Sequence, residues 1–201
     1  MKKLFNKLPF LLAVFILLIL GIWYFSSNSN KTALQGNTIA ATDISQSPVK
    51  LQEATVTKGV DGDVVCVKFE DGKQAKVRFI GINAPESTTK HEKYGEEAFN
   101  YTKSQLVGKT VYLEKDTSNT DSYGRLLRYV WLSPPIQINE AEVRNKMFNA
   151  ILASEGYAEQ MTVSPNVRYA NYFKTFCEEA RVSSKGLWEI NPKGTTKGDR
   201  L

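Results

Sequence analysis

Histidine and cysteine are the scarce chemical resources of this chain: His91 stands alone, and Cys66 and Cys177 are the only thiols in 201 residues. One imidazole excludes any mechanism that needs two, whether a His-rich metal centre or a His relay. Two cysteines far apart in sequence make neither a disulfide scaffold nor a zinc cluster. No fixed-period repeat is visible, which excludes solenoids and propellers. Charge of one sign is also scarce in most of the chain. The formal charge is +5, but subtracting Lys2, Lys3 and Lys7 leaves +2 beyond residue 30. A balance that small does not by itself point to a nucleic-acid partner. What is present is ordinary for a globular domain, with 42% hydrophobic, 11% aromatic and 23% charged residues, so a wholly disordered chain is excluded as well.

The one long apolar run lies at the N-terminus. Three lysines precede Leu8–Phe25, which carries no charge, and the polar stretch Ser26-Ser27-Asn28-Ser29-Asn30 follows. Positive residues before an apolar segment are the layout of an export signal. The run is at the short end of what spans a bilayer, and no small-x-small cleavage site or lipid-accepting cysteine follows it closely. Residues 1–26 therefore read as a signal anchor or a cleaved signal peptide, with a buried core helix as the bland alternative. Either export reading puts the remainder outside the cytoplasm, at the outer face of the membrane or secreted, where a Cys66–Cys177 disulfide is chemically possible. Residues 27–50 read as a flexible Ser/Asn/Thr/Gln linker, 51–190 as the folded domain and 191–201 as a disordered tail.

From Ala54 the pattern alternates. Val64–Phe69 and Lys76–Ile82 are β-rich runs joined by the hairpin signal Asp71-Gly72, with Val77 and Phe79 on one face of the second run and Lys76 and Arg78 on the other. Thr110–Glu114 and Leu126–Trp131 predict two more strands. Tyr94–Leu106, Asn139–Gly156 and Asn166–Ser184 carry apolar residues at helical spacing, and the Tyr169, Tyr172, Phe173, Phe176 stripe of the last reads as core. Strands first and helices later predict an α+β fold with a small closed barrel of about five strands and about three helices.

Four polar clusters carry chemistry. Asp61-Gly62-Asp63 offers two carboxylates to a hard cation, or is a simple Asp-Gly turn. Arg78 lies on a polar strand face, where a lone arginine is usually solvated or paired. In Asn83-Ala84-Pro85-Glu86, proline fixes the backbone before a carboxylate able to act as a base towards water, or before a surface acid. Asp121-Ser122-Tyr123-Gly124-Arg125 is a tight turn that offers a planar guanidinium to a phosphate, or only a polar turn.

Taken in order, these clusters resemble the staphylococcal-nuclease-like (thermonuclease) family. The resemblance rests on Asp61-Gly62-Asp63, on Val77-Arg78-Phe79-Ile80-Gly81-Ile82-Asn83-Ala84-Pro85-Glu86, on Lys93-Tyr94-Gly95-Glu96-Glu97-Ala98, on Asp121–Arg125 and on Gly186-Leu187-Trp188, and runs from about Ala54 to Trp188. It implies an OB-fold barrel with helices packed on it and a calcium-dependent nuclease with DNA and RNA as substrates and 3′-phosphate products. It also implies roles: Asp63 as a calcium ligand with Asn83 and the Ala84 carbonyl, Glu86 as general base, Arg78 and Arg125 as the phosphate clamp, and Tyr123 as a phosphate contact. No protein partner is implied, and a monomer is expected.

Three departures from the family pattern stand out. Asn83 replaces a carboxylate, which predicts weaker calcium binding, and Ala84 replaces a threonine whose backbone carbonyl is the ligand. Met161 and Val163 stand where nucleotide-stacking tyrosines are usual, leaving Tyr157 and Tyr169 as possible substitutes. Residues 132–146, with Pro134-Pro135, form an insertion. The alternative of a different class is an OB-fold nucleic-acid or protein-binding module with a decayed catalytic site, for which Asn83 is the main support.

Overall fold

The computed structural model describes residues 47–194 and Gly198. The expected signal segment, nearly all of the linker and most of the tail beyond Gly194 lie outside the described residues. Among those that are described, no helix is long and apolar enough to cross a membrane.

Five strands close into a barrel in the order β1 (Leu51–Asp61), β2 (Val64–Lys68), β3 (Gln74–Phe79), β6 (Leu126–Trp131) and β5 (Thr110–Glu114), with β5 returning to β1. All pairs are antiparallel except β3 with β6. Alternation explains the closure: Ala54, Val56, Val65, Val67, Val77, Phe79, Val111 and Leu113 all turn inward and are buried. The eleven-residue β1 serves two partners, β5 through Leu51–Thr55 and β2 through Thr55–Asp61. Register shifts at Val56/Lys58 and Gly59/Asp61 give it the curl this requires. The Asp71-Gly72 hairpin forms as the sequence predicts, with Gly72 at φ 83°.

The predicted β run Lys76–Ile82 is interrupted. Gly81 adopts φ 82°, and a Cβ there would lie 2.2 Å from the Phe173 ring, so the chain turns off the barrel at a point only glycine tolerates. It then forms β4 (Ile82–Asn83), which pairs with β7 (Glu159–Gln160) in a separate two-stranded sheet.

The described helices number five, against about three expected: α1 (Gly95–Leu106), α2 (Glu140–Lys146), α3 (Phe148–Ser154), α4 (Ala170–Val182) and α5 (Leu187–Ile190). The increase comes partly from a correction. Asn139–Gly156 is not one helix, because Met147 is extended at ψ 117° and divides it. Met147 is fully buried and forms an isolated β-bridge with Trp131, while the Leu132 amide donates to the Lys146 carbonyl at 2.8 Å. Core burial and edge pairing outweigh helical continuity there. The aromatic stripe of α4 is core, as expected, with Tyr169, Phe173 and Phe176 buried.

The possible Cys66–Cys177 disulfide is also corrected: both thiols are free. Cys177 is buried in α4 with its Sγ directed at the Ala158 carbonyl, whereas Cys66 sits between inward-facing Val65 and Val67 and so points to the outside of the barrel. Burial pushes the Cys177 thiol up to about 12.

Candidate functional site

All seven residues singled out by the sequence line one open cleft of about 550 Å³: Asp63, Arg78, Asn83, Ala84, Glu86, Tyr123 and Arg125. The cleft forms where the chain leaves the barrel. The β1–β2 turn supplies Asp63, the outer face of β3 supplies Arg78, β4 and the segment after it supply Asn83 to Glu86, and the turn entering β6 supplies Tyr123 and Arg125.

Asp63 and Arg78 form its floor. Asp63 is 4% exposed, and its Oδ2 accepts the Ala84 amide at 2.8 Å and stands 3.0 Å from Arg78 Nη2. Burial raises the Asp63 carboxyl above its ordinary range, while the Arg78 guanidinium and the Ala84 amide oppose that rise. Both Nη groups of Arg78 are tied down: Nη1 donates to the Phe79 and Ile82 carbonyls, and Nη2 donates to Asn83 Oδ1 at 3.0 Å as well as meeting Asp63. A guanidinium held at so many points presents its remaining face in one orientation.

Arg125 is held by a residue that reading the sequence had treated only as part of a turn. Asp121 Oδ1 accepts the Tyr123 and Arg125 amides at 2.9 and 3.0 Å, and its Oδ2 meets Arg125 Nε at 2.6 Å. Burial alone would raise Asp121, yet the hydrogen bonds from Arg125 and Tyr123 hold it below the usual carboxylate range. Tyr123 is 83% exposed at the rim, and the Arg125 guanidinium lies 5.3 Å from its ring centroid.

Glu86 is held in the same local manner. Its Oε1 accepts the Thr88 amide at 3.0 Å and the Thr88 hydroxyl, and the Thr88 hydroxyl is the main reason its carboxyl lies below its ordinary value. Beneath it, Asp61 Oδ1 accepts from the Ser87 hydroxyl at 2.7 Å and from the Gly62 amide at 2.9 Å, and burial raises Asp61. Asp61, weighed with Asp63 as a cation ligand, instead braces the Glu86 segment through Ser87, and Thr88 and Asp121 are the residues that motif reading missed as parts of the site. Asp121 lay within a motif itself. For Thr88 the only available signal was its spacing, two residues after Glu86.

The wall formed by residues 161–166 contributes Met161, Val163 and Asn166. Neither tyrosine considered as a substitute reaches the cleft. Tyr157 stacks on Tyr101 with ring centroids 4.1 Å apart, and Tyr169 is buried edge-on against Tyr129. The insertion at 132–146 does not line the cleft either.

The charge pattern bears on what the cleft accepts. Five carboxylates (Asp61, Asp63, Glu86, Glu92 and Asp121) face three cations, Arg78, Arg125 and Lys90. A polyanion meets net repulsion there unless a cation intervenes. The donors are oxygen only, from the Asp63 carboxylate and the Asn83 amide oxygen, both beside Arg78 Nη2, and from the Ala84 carbonyl in the same lining, which suits a hard dication rather than zinc. Among the described residues, no group of three or more His, Cys, Asp or Glu side chains is arranged to hold a metal. A cation here would therefore depend on amide and backbone oxygens as well as on Asp63.

Comparison with known proteins places the architecture. The family described as "Staphylococcal nuclease homologue" matches residues 76–190, more than half of the chain. The thermonuclease of Staphylococcus hyicus is 36% identical over 140 residues, covering 68% of this chain and 76% of that protein. The thermonuclease of Staphylococcus intermedius is 34% identical over 148 residues, covering 72% and 81%. Endonuclease YncB of Bacillus subtilis (strain 168) is 29% identical over 164 residues, covering 79% and 72%. With the barrel, the helices and the cleft in agreement, the chain belongs to the staphylococcal nuclease family.

Proposed function

We propose that this protein is a calcium-dependent nuclease that hydrolyses phosphodiester bonds of DNA and RNA with little sequence preference and leaves 3′-phosphates. The observation that carries the reading is one cleft holding a carboxylate base, Glu86, with two independently braced guanidiniums, Arg78 and Arg125.

The chemistry follows from these groups. Glu86, kept ionised by Thr88, takes a proton from a water that attacks phosphorus. The P–O5′ bond breaks and the departing 5′-oxygen takes its proton from solvent. Arg125, braced through Nε, offers its two Nη groups to the non-bridging oxygens, where charge builds during attack, and Arg78 joins it through Nε–H or by exchanging an Nη contact for the phosphate. Tyr123 contacts phosphate at the rim. Asp63, Asn83 and the Ala84 carbonyl would hold calcium, which when bound supplies positive charge to the phosphate oxygens. Low sequence preference is supported by Met161 and Val163, whose aliphatic side chains offer a base no hydrogen-bond code. The lysine-then-apolar N-terminal segment supports a site of action outside the cytoplasm, either anchored at the membrane or secreted, and the protein acts as a monomer.

The test is digestion of single-stranded DNA by the full chain in millimolar calcium and then in chelator. Calcium-dependent cleavage is expected, and Glu86→Gln should lower turnover by about 10²–10⁴-fold with the fold intact by circular dichroism. Intact DNA in both conditions, from a folded protein, would instead favour a binding module in which the amide at Asn83 has disabled the metal site.

A further inference from the structure

The outer face of the barrel next to the cleft carries a group of lysines that the cleft chemistry does not use. Arg78 and Lys76 lie on the same outward face of β3, two residues apart, while Val77 between them is buried. The register continues the charge sideways: Lys76 pairs with Cys66, and Cys66 pairs with Lys58. One row further from the cleft, Lys68 stands between Thr55 and Gln74. Lys58, Lys68 and Lys76 are all exposed, and none is in an ion pair among the described residues. No Asp or Glu occupies a register position between them. Strands stand about 4.8 Å apart and alternate residues about 6.8 Å along a strand, so the three ammonium groups cover a patch about 10 Å wide beginning one step from Arg78. On the other side of β3, Arg125 directly precedes Leu126, the register partner of Val77. Both clamp arginines thus border the same lysine face.

We infer that this face binds the phosphate backbone of a single-stranded nucleic acid whose scissile phosphate sits in the cleft, and so sets a preference for long strands over short ones. The inference rests on the nuclease reading above. A cleft of about 550 Å³ has the size of a site for a drug-sized ligand, enough for a phosphate and its flanking nucleosides but not for a strand. A longer strand leaving it meets a surface where lysines are uncompensated, and binding there releases condensed counterions. Small barrels that bind single strands do so through basic surfaces tracking the backbone over several nucleotides. The lysines are flexible point charges, so the face confers length preference without base preference.

The experiment compares a thymidine trinucleotide with a 20-nucleotide thymidine strand, using the full chain and the triple variant Lys58→Gln/Lys68→Gln/Lys76→Gln. The variant should cleave the trinucleotide with unchanged kcat and KM. For the 20-mer its KM should rise about tenfold, and the dependence of log(1/KM) on log salt should be shallower by about 2, the value for three lost contacts to a single strand. Unchanged KM and salt slope on the 20-mer would overturn the inference. If the unmodified protein cleaves neither substrate, the nuclease reading has failed by itself. Fluorescence anisotropy of the labelled 20-mer then measures the face directly, with the same tenfold loss expected and equal affinity overturning it. Loss of binding to phosphatidylglycerol vesicles with no change towards the 20-mer would assign the face to an anionic lipid surface instead, again overturning the inference. A triple Lys→Arg variant, which keeps the charge, should retain the original KM and separates lost charge from a damaged fold.

Discussion

Glu86 takes its place in the cleft from a neighbour two residues away. The Thr88 hydroxyl and amide both donate to its Oε1, and they favour the ionised form. The consequence for pH is one of sign. In the proposed role of Glu86 as base, activity needs the ionised form, so a pKa held below the ordinary value extends activity to lower pH. Thr88→Val removes the hydroxyl donor while keeping the side-chain shape, so the Glu86 pKa should rise and the acid limb of kcat/KM should move to higher pH. A pH–rate profile of the two proteins reads this directly, and superimposable acid limbs would remove Thr88 from the account. Asn83 invites the opposite kind of change. Its Oδ1 accepts from Arg78, a contact that a carboxylate oxygen would keep, and Asn83→Asp adds a charge beside Asp63. Calcium affinity, measured by calorimetry in a Glu86→Gln background, should tighten by about tenfold, since charge count is a main determinant of such sites.

At the scale of elements, the site depends on how the chain is bent away from the barrel. Asn149 on α3 is fully buried and holds that bend from behind: its Oδ1 accepts the Val130 amide at 2.8 Å, and its Nδ2 donates to the Ile80 carbonyl at 2.9 Å. It therefore joins α3, β6 and the segment between β3 and β4. Asn149→Ala leaves a buried donor and a buried acceptor without partners and should destabilise the protein by about 2–4 kcal/mol, seen as a lower urea midpoint. A midpoint within experimental error of the parent would refute that role. Glu114 makes a similar junction on the far side. Buried on β5, it accepts from Trp131 Nε1 at 2.8 Å and from the Tyr169 hydroxyl at 3.1 Å, and pairs with Arg168. Strand and helix periodicity reveals neither junction, because a buried Asn or Glu looks like any polar residue until the elements around it have packed. The split of Asn139–Gly156 was illegible for the same reason. Met147 fits the apolar stripe of one long helix equally well, and only the backbone at the end of β6, Trp131 and Leu132, draws its own into pairing.

Across the described molecule, local pattern and long-range packing divide the work in a physically consistent way. Alternation of small and branched apolar residues determined the barrel strands, the Asp71-Gly72 hairpin and the inward faces of α1 and α4, because these depend on neighbours within a few residues. The sequence also singled out, through its resemblance to a family, seven of the residues that line the cleft, since the motifs carrying them are contiguous. Tertiary structure alone decided that four separate motifs share one cleft, since their meeting depends on barrel closure between β1 and β5 and on the parallel contact of β3 with β6. It also decided that the two thiols stay apart, that Gly81 turns the chain beneath Phe173, and that Lys58, Lys68 and Lys76 gather beside Arg78. The first two depend on how α4, which carries Cys177 and Phe173, packs on the barrel, and the last on register between strands. Register is set by which side chains are buried together, a quantity that belongs to the closed barrel and to no single segment of it.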